Sequence, residues 1–208
     1  MPRRSARAEM LRQALAREAA RLMIEHGLPD YGLAKRKAAA RLGVTDHAVL
    51  PKNTEIEEAL AEHQRLFVPE AHASELLEMR RAALSAMRLL SDFEPRLVGP
   101  LLSGTATAHN DITLHLFVDT PELVVVQLMD RGIPHEFAER RIKVQRDEFE
   151  AYPAVRFVAG PHGVDATIFP LDGIRQAPLG PVDGRPMRRA TLHEVEGMLG
   201  PEASISAS

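Results

Sequence analysis

Asp111 and Asp165 are the residues of this chain whose type and placement point to chemistry. Asp111 opens the apolar run ITLHLFV (112–118), and Asp165 sits inside another, GVDATIF, each patterned as a β-strand. Side chains alternate along a strand, so Asp111, Thr113 and His115 fall on one face. An aspartate in mid-strand is disfavoured, and its burial is costly unless it is paired or bound to a cation. Two such carboxylates on strands of one small sheet could share a divalent cation. Mg²⁺ takes hard oxygen ligands, usually one or two carboxylates together with substrate phosphates. Ahead of Asp111 lies VGPLLSGTATAHND (98–111), with Gly99 and Gly104 in a run of small residues. Glycine lets backbone amides approach a phosphate because no Cβ blocks the way. Plainer roles exist for each: Asp111 as a hairpin cap, Asp165 satisfied by backbone amides or by Arg156, the glycines as turn residues. His109 and His115 lie close by, but imidazole is a poor ligand for Mg²⁺.

The elements that must hold these residues change character near residue 94. Residues 1–94 read as an all-helical N-terminal region, with helices over 6–26, 31–42, 53–67 and 71–90. Gly27 stops the first helix and Asn53 is placed to cap the third. From Pro95 the period becomes that of strands. RLVGPLL (96–102), ITLHLFV, FAERRIKVQ (137–145), AVRFVAG (154–160) and GVDATIFP (163–170) read as strands, with a helix from Thr120 and Pro121 to Gly132 and a last one over 188–199. The expected fold class is α+β: a small mixed β-sheet of four or five strands with flanking helices over 95–199, a Gly/Pro-rich loop at 171–188, and a disordered tail at 200–208.

Composition removes several classes. The chain has no cysteine, which excludes disulfides, thiolate zinc sites and a cysteine nucleophile. A net charge of −3 argues against wholesale polyanion binding, and 4% aromatic content without tryptophan weakens base stacking as a general mode. No apolar run reaches the length of a membrane span, and no apolar segment follows the basic residues at 3–7, so no membrane partner is expected and the expected location is cytoplasmic. The phosphate-loop, nucleophile-elbow and HExxH patterns are absent. Two basic groups, Lys35/Arg36/Lys37/Arg41 and Arg185/Arg188/Arg189, are candidate phosphate contacts or simply solvated faces, and 139–141 reads as a charge-protected strand edge.

Over about residues 93–170 the chain resembles the nucleotidyltransferase superfamily, the polymerase-beta-like fold. Gly99 matches that family's first glycine, Gly104 its second, Asp111, twelve residues after Gly99, its first metal-binding aspartate, and Asp165 its third carboxylate. The resemblance implies Mg²⁺-dependent transfer of a nucleoside monophosphate from an NTP to an acceptor, nucleic acid or protein. Asp111 and Asp165 would hold Mg²⁺, with Thr113 assisting catalysis weakly, and Gly99, Ser103, Gly104 and Thr105 would line the nucleotide. Two positions depart from the pattern. Pro100 stands where the family has a serine, removing an amide and a hydroxyl donor. Thr113 stands where it has a second aspartate, and a neutral hydroxyl cannot replace a carboxylate that bridges two metal ions. A second reading therefore stands beside the enzyme: a non-catalytic nucleotide-, nucleic-acid- or partner-binding protein on the same fold.

Overall fold

The computed structural model describes residues 2–67, 69–145 and 148–199; the tail expected to be disordered, 200–208, lies outside them. The helical region contains α1 (Pro2–His26), α2 (Tyr31–Arg41), α3 (Asn53–Phe67) and α4 (Pro69–Leu89). Leu15, Ala19 and Leu22 recur at helical spacing on α1 and are buried in one cluster with Ala34, Ala38, Ile56 and Leu60. Gly27 ends α1 with a φ of 60°, and a Cβ there would lie 2.8 Å from the Cβ and ring of His109. The Asp30 carboxylate caps α2 by accepting from the Leu33 N–H at 2.5 Å. Asn53 does not cap α3 as expected. It is that helix's first residue, and its amide donates to the Pro181 carbonyl at 2.6 Å.

The chain folds as two compact units. One comprises Met1–Ala73, Thr105–Asn110 and Pro181–Asp183; the other comprises Ser74–Gly104, Asp111–Gly180 and the segment from Gly184. The change of period at 94/95 marks where helix gives way to strand. The units part earlier, within α4, whose buried Met79, Ala83 and Met87 belong to the second.

The second unit is built on five strands: β1 (Arg96–Val98), β2 (Ile112–Phe117), β3 (His135–Gln145), β4 (Glu148–Ala159) and β5 (His162–Phe169), in the order β1-β2-β5-β4-β3. β2 and β5 are parallel and every other pair is antiparallel, which makes the sheet mixed and the class α+β. Between strands lie α5 (Pro100–Ser103) and α6 (Glu122–Asp130), and α7 (Leu192–Met198) follows the sheet. A Thr191–Glu194 capping box starts α7. The register sorts side chains cleanly. Leu97, Ile112, Leu114, Leu116, Val155, Phe157, Val164, Ala166 and Ile168 face one way and all are buried. Arg96, Thr113, His115, Asp165, Thr167 and Arg156 face the other.

Several segments differ from the sequence reading; the last helix, expected from 188, starts at Leu192, and the first reaches back to Pro2. RLVGPLL is a strand for only three residues, because Pro100 occupies the first position of the one-turn helix α5. α6 begins one residue late, with Pro121 rather than Thr120 at its N-cap. β4 starts at Glu148 although Pro153 lies within it. Pairing of β4 with β5 begins only at Ala154, so at Pro153 that side of the strand has no ladder partner to lose.

Candidate functional site

The polar face of the sheet gathers the candidate residues. Thr113 pairs with Asp165 across the parallel β2–β5 ladder and with Val98 across β1–β2. Gly99, with a φ of 76°, follows Val98, and a Cβ on it would lie 3.8 Å from Oγ1 of Thr113. Asp111 lies two residues before Thr113, on the same face. Its carboxylate rests over Gly163, where a Cβ would collide with Oδ1. Gly163 therefore keeps the space that Asp111 occupies, a role sequence reasoning missed; the signal was a glycine inside a strand, two residues before a mid-strand aspartate.

Asp165 is an ion-pair acceptor. Arg140 donates to its Oδ2 from Nε at 2.9 Å and also from a terminal nitrogen, and Arg156 donates from Nε at 3.3 Å. The Asp165 side chain is only 13% exposed, and its Oδ1 is buried with no hydrogen bond in the described structure. Arg156 was the plainer partner expected for Asp165, and it sits directly opposite on β4. Arg140 corrects the reading of 139–141 as no more than a protected edge. β3 is the edge strand, yet Arg140 turns inward, level with Tyr152, and reaches Asp165 past the small Ala154.

The nucleotide-loop candidates divide. Ser103 and Gly104 end α5, with the Ser103 hydroxyl donating to the Pro100 carbonyl at 3.1 Å and Gly104 at a φ of 86°. Beside Gly104 lies Arg80 of α4, whose terminal nitrogen would be 3.9 Å from a Cβ at that position. Burial lowers the Arg80 pKa, and its Nε is buried without a hydrogen bond in the described structure. Neither motif nor spacing pointed to Arg80. Thr105 goes with the helical unit: it is 8% exposed, and its hydroxyl donates to Glu57 at 2.6 Å while Gln64 donates to its carbonyl at 3.0 Å. His109 belongs to the same segment and packs on Gly27. Of the basic group on α2, Arg41 pairs with Glu18 at 3.3 Å.

These side chains do not fit a two-metal centre. Such a centre needs carboxylates facing both ions. Here one of the two carboxylates already accepts from two guanidinium groups, and the residue beside it is a neutral threonine. A cation brought to Asp165 would meet the repulsion of Arg140 and Arg156 in a partly buried setting.

Further along the same face, His115 is 2% exposed and its Nδ1 accepts from Arg189 Nε at 3.1 Å. Burial, reinforced by the Arg189 charge, drops the imidazole pKa from 6.5 to about 3. His115 therefore stays neutral in the folded protein, whereas the unfolded chain takes up its proton below pH 6.5. Stability from this group is complete above that pH and is lost as pH falls toward 3, at about 1.4 kcal/mol per unit. Denaturant titrations between pH 7 and pH 4 should show this fall, and His115→Gln should flatten it.

No protein-family model matches the chain, and neither does any curated protein. Solved structures give partial likeness. A cytoplasmic RNA terminal U-transferase matches with 20% identity over 55% of this chain and 34% of its own, at a TM-score of 0.29. Cid1, an RNA terminal uridylyl transferase, matches with 18% identity over 56% and 37%, at 0.29. Both are nucleotidyltransferases. This chain spans about a third of the length of either, and those activities belong to the proteins so named.

Proposed function

We propose that this chain is a non-catalytic nucleotide-binding protein on a nucleotidyltransferase-like fold, holding phosphates with arginines where its catalytic counterparts use Mg²⁺. The observation that carries the reading is the pairing of Asp165 with two guanidinium groups opposite a neutral Thr113. Both guanidiniums share that one carboxylate and neither has a second ion pair among the described residues, so a phosphate can share their remaining donors. Guanidinium forks suit phosphate oxygens, and each charge-assisted bond exceeds a neutral one. Arg80 would add a further donor beside Gly104, offsetting the amide and hydroxyl that Pro100 lacks. Gly99 and Gly104, both at positive φ, carry no Cβ of their own to stand between a phosphate and the backbone. Phosphoryl transfer has little covalent chemistry for a protein to perform and rests on positioned positive charge at the reacting phosphate. Arginines alone would bind the phosphates without orienting an attacking oxygen. The transferase reading keeps one support of its own, Oδ1 of Asp165, which has no hydrogen bond among the described residues and lies on the face that Asp111 shares.

The deciding measurement pairs thermal shift with label transfer. Each NTP should raise the melting temperature equally in EDTA and in Mg²⁺, and α-labelled NTPs with Mg²⁺ or Mn²⁺ should label RNA or protein acceptors only at background. A shift that requires Mg²⁺ and disappears in Asp111→Ala, or metal-dependent labelling, would return the chain to the enzymes. No shift with any NTP would remove the nucleotide site altogether.

A further inference from the structure

We infer that the β3–β4 hairpin carries a second binding surface, for single-stranded nucleic acid, on the side of the sheet opposite Asp165. Because Arg140 turns toward Asp165, strand alternation turns Arg141 and Lys143 to the other side. Lys143 pairs with Phe149 across the hairpin and Arg141 with Ala151. The Arg141 guanidinium carbon lies 5.5 Å from the centre of the Phe149 ring and Lys143 Nζ lies 5.9 Å from it. Phe137, farther down β3, shares this side, and the two rings are 64% and 51% exposed for Phe137 and Phe149.

Charge is sorted between the two sides. Glu136 pairs with Arg156 and Glu150 with Ile142 on the Asp165 side, and Glu148, next to Phe149, alternates to it as well. Among the described hairpin residues, Glu139 is the one carboxylate that shares the side of Arg141 and Lys143. Edge strands are commonly guarded by charge, and Arg141 and Lys143 would suffice for that. Two exposed phenylalanines add an aggregation liability that guarding does not call for, in a chain with few aromatics.

Bases have π-faces for the two rings, and phosphates accept from the two cations, which is how non-specific single-strand sites are built. Phe137 and Phe149 stand roughly 20 Å apart along the ribbon, room for a strand of several nucleotides. An acidic peptide would engage the cations and leave the rings idle. This surface does not depend on the nucleotide site proposed above.

The test is fluorescence anisotropy of the full chain with labelled oligo-U and oligo-dT of about ten nucleotides, at low and at raised salt. The wild type should bind in low salt. Phe149→Leu should weaken binding about fivefold or more, and R141Q/K143Q should weaken it and flatten the salt dependence, with melting temperatures unchanged. R141Q/K143Q should leave any thermal shift with an NTP as it was, which separates this surface from the nucleotide site. An unbound oligonucleotide at low salt, or R141Q/K143Q binding like the wild type, overturns the inference. So does a poly-glutamate competitor that displaces the oligonucleotide while Phe149→Leu is silent, the signature of a site for acidic protein.

Discussion

Asp165→Asn is expected to bind a nucleoside triphosphate about tenfold more tightly than the wild type, in EDTA, while folding less stably by about 1–3 kcal/mol. In the wild type the carboxylate occupies Arg140 and Arg156, so an incoming phosphate must displace it or share with it. Asparagine keeps the shape and one acceptor oxygen but removes the competing charge, and both guanidiniums become available to the ligand. Stability falls because two partly buried cations lose their counter-ion. The loss stays moderate because the Arg156 side chain is 48% exposed and water screens it. A magnesium-dependent transferase predicts the opposite: loss of a metal ligand would weaken binding and remove the metal requirement with it. Calorimetric titration with and without EDTA, alongside urea denaturation, reads both quantities. Unchanged or weaker binding would defeat the arginine reading.

Arg189→Ala is expected to cost about 2–4 kcal/mol and to lower the melting temperature by about 5–10 °C. The guanidinium lies 4.8 Å from the Phe117 ring centre and 5.2 Å from that of Phe169. Its Nε donates to His115, and a terminal nitrogen donates to the Gly173 carbonyl at 2.8 Å. One side chain thus ties the turn at Leu171–Arg175 to the polar face of the sheet. Burial lowers its pKa to about 10, which still leaves it charged at neutral pH. Truncation would remove two cation–π contacts and leave His115 Nδ1 and the Gly173 carbonyl without their donor. Arg189→Lys should not rescue the loss, since an ammonium cannot stack on both rings and donate along two directions at once. Guanidinium denaturation at pH 7 reads the cost, and a change below about 0.5 kcal/mol would deny the tie. Arg189 was first a phosphate candidate; its contacts make it a structural residue of the turn.

The helices and strands were legible because their signals are local. Helical spacing on α1 and alternation in β2 and β5 follow from which residues must be buried, and the glycine at 27 needs only its own φ to end a helix. The misread pieces were those whose outcome depends on a neighbour. Pro153 argued against a strand until the point where β5 leaves β4 was known. Asn53 suited a cap, and its amide instead found a carbonyl 128 residues away.

By itself the sequence determined that Asp111, Thr113 and His115 share a face, that a mid-strand Asp165 needs a partner, and that glycines flank Pro100 to Ser103. Each is a matter of residue type and short-range geometry, complete within a dozen residues. Only the tertiary structure decided which partner Asp165 took. Arg156 reaches it because β4 lies antiparallel to β5, and Arg140 because β3 adds a further strand and Ala154 leaves the path open. Likewise Gly163 makes way for Asp111, and Arg80 comes to lie beside Gly104, through contacts between segments far apart in the chain. An ion pair forms where distance and burial permit, and strand order sets both, so the same aspartate reads as a metal ligand in one dimension and as an arginine acceptor in three.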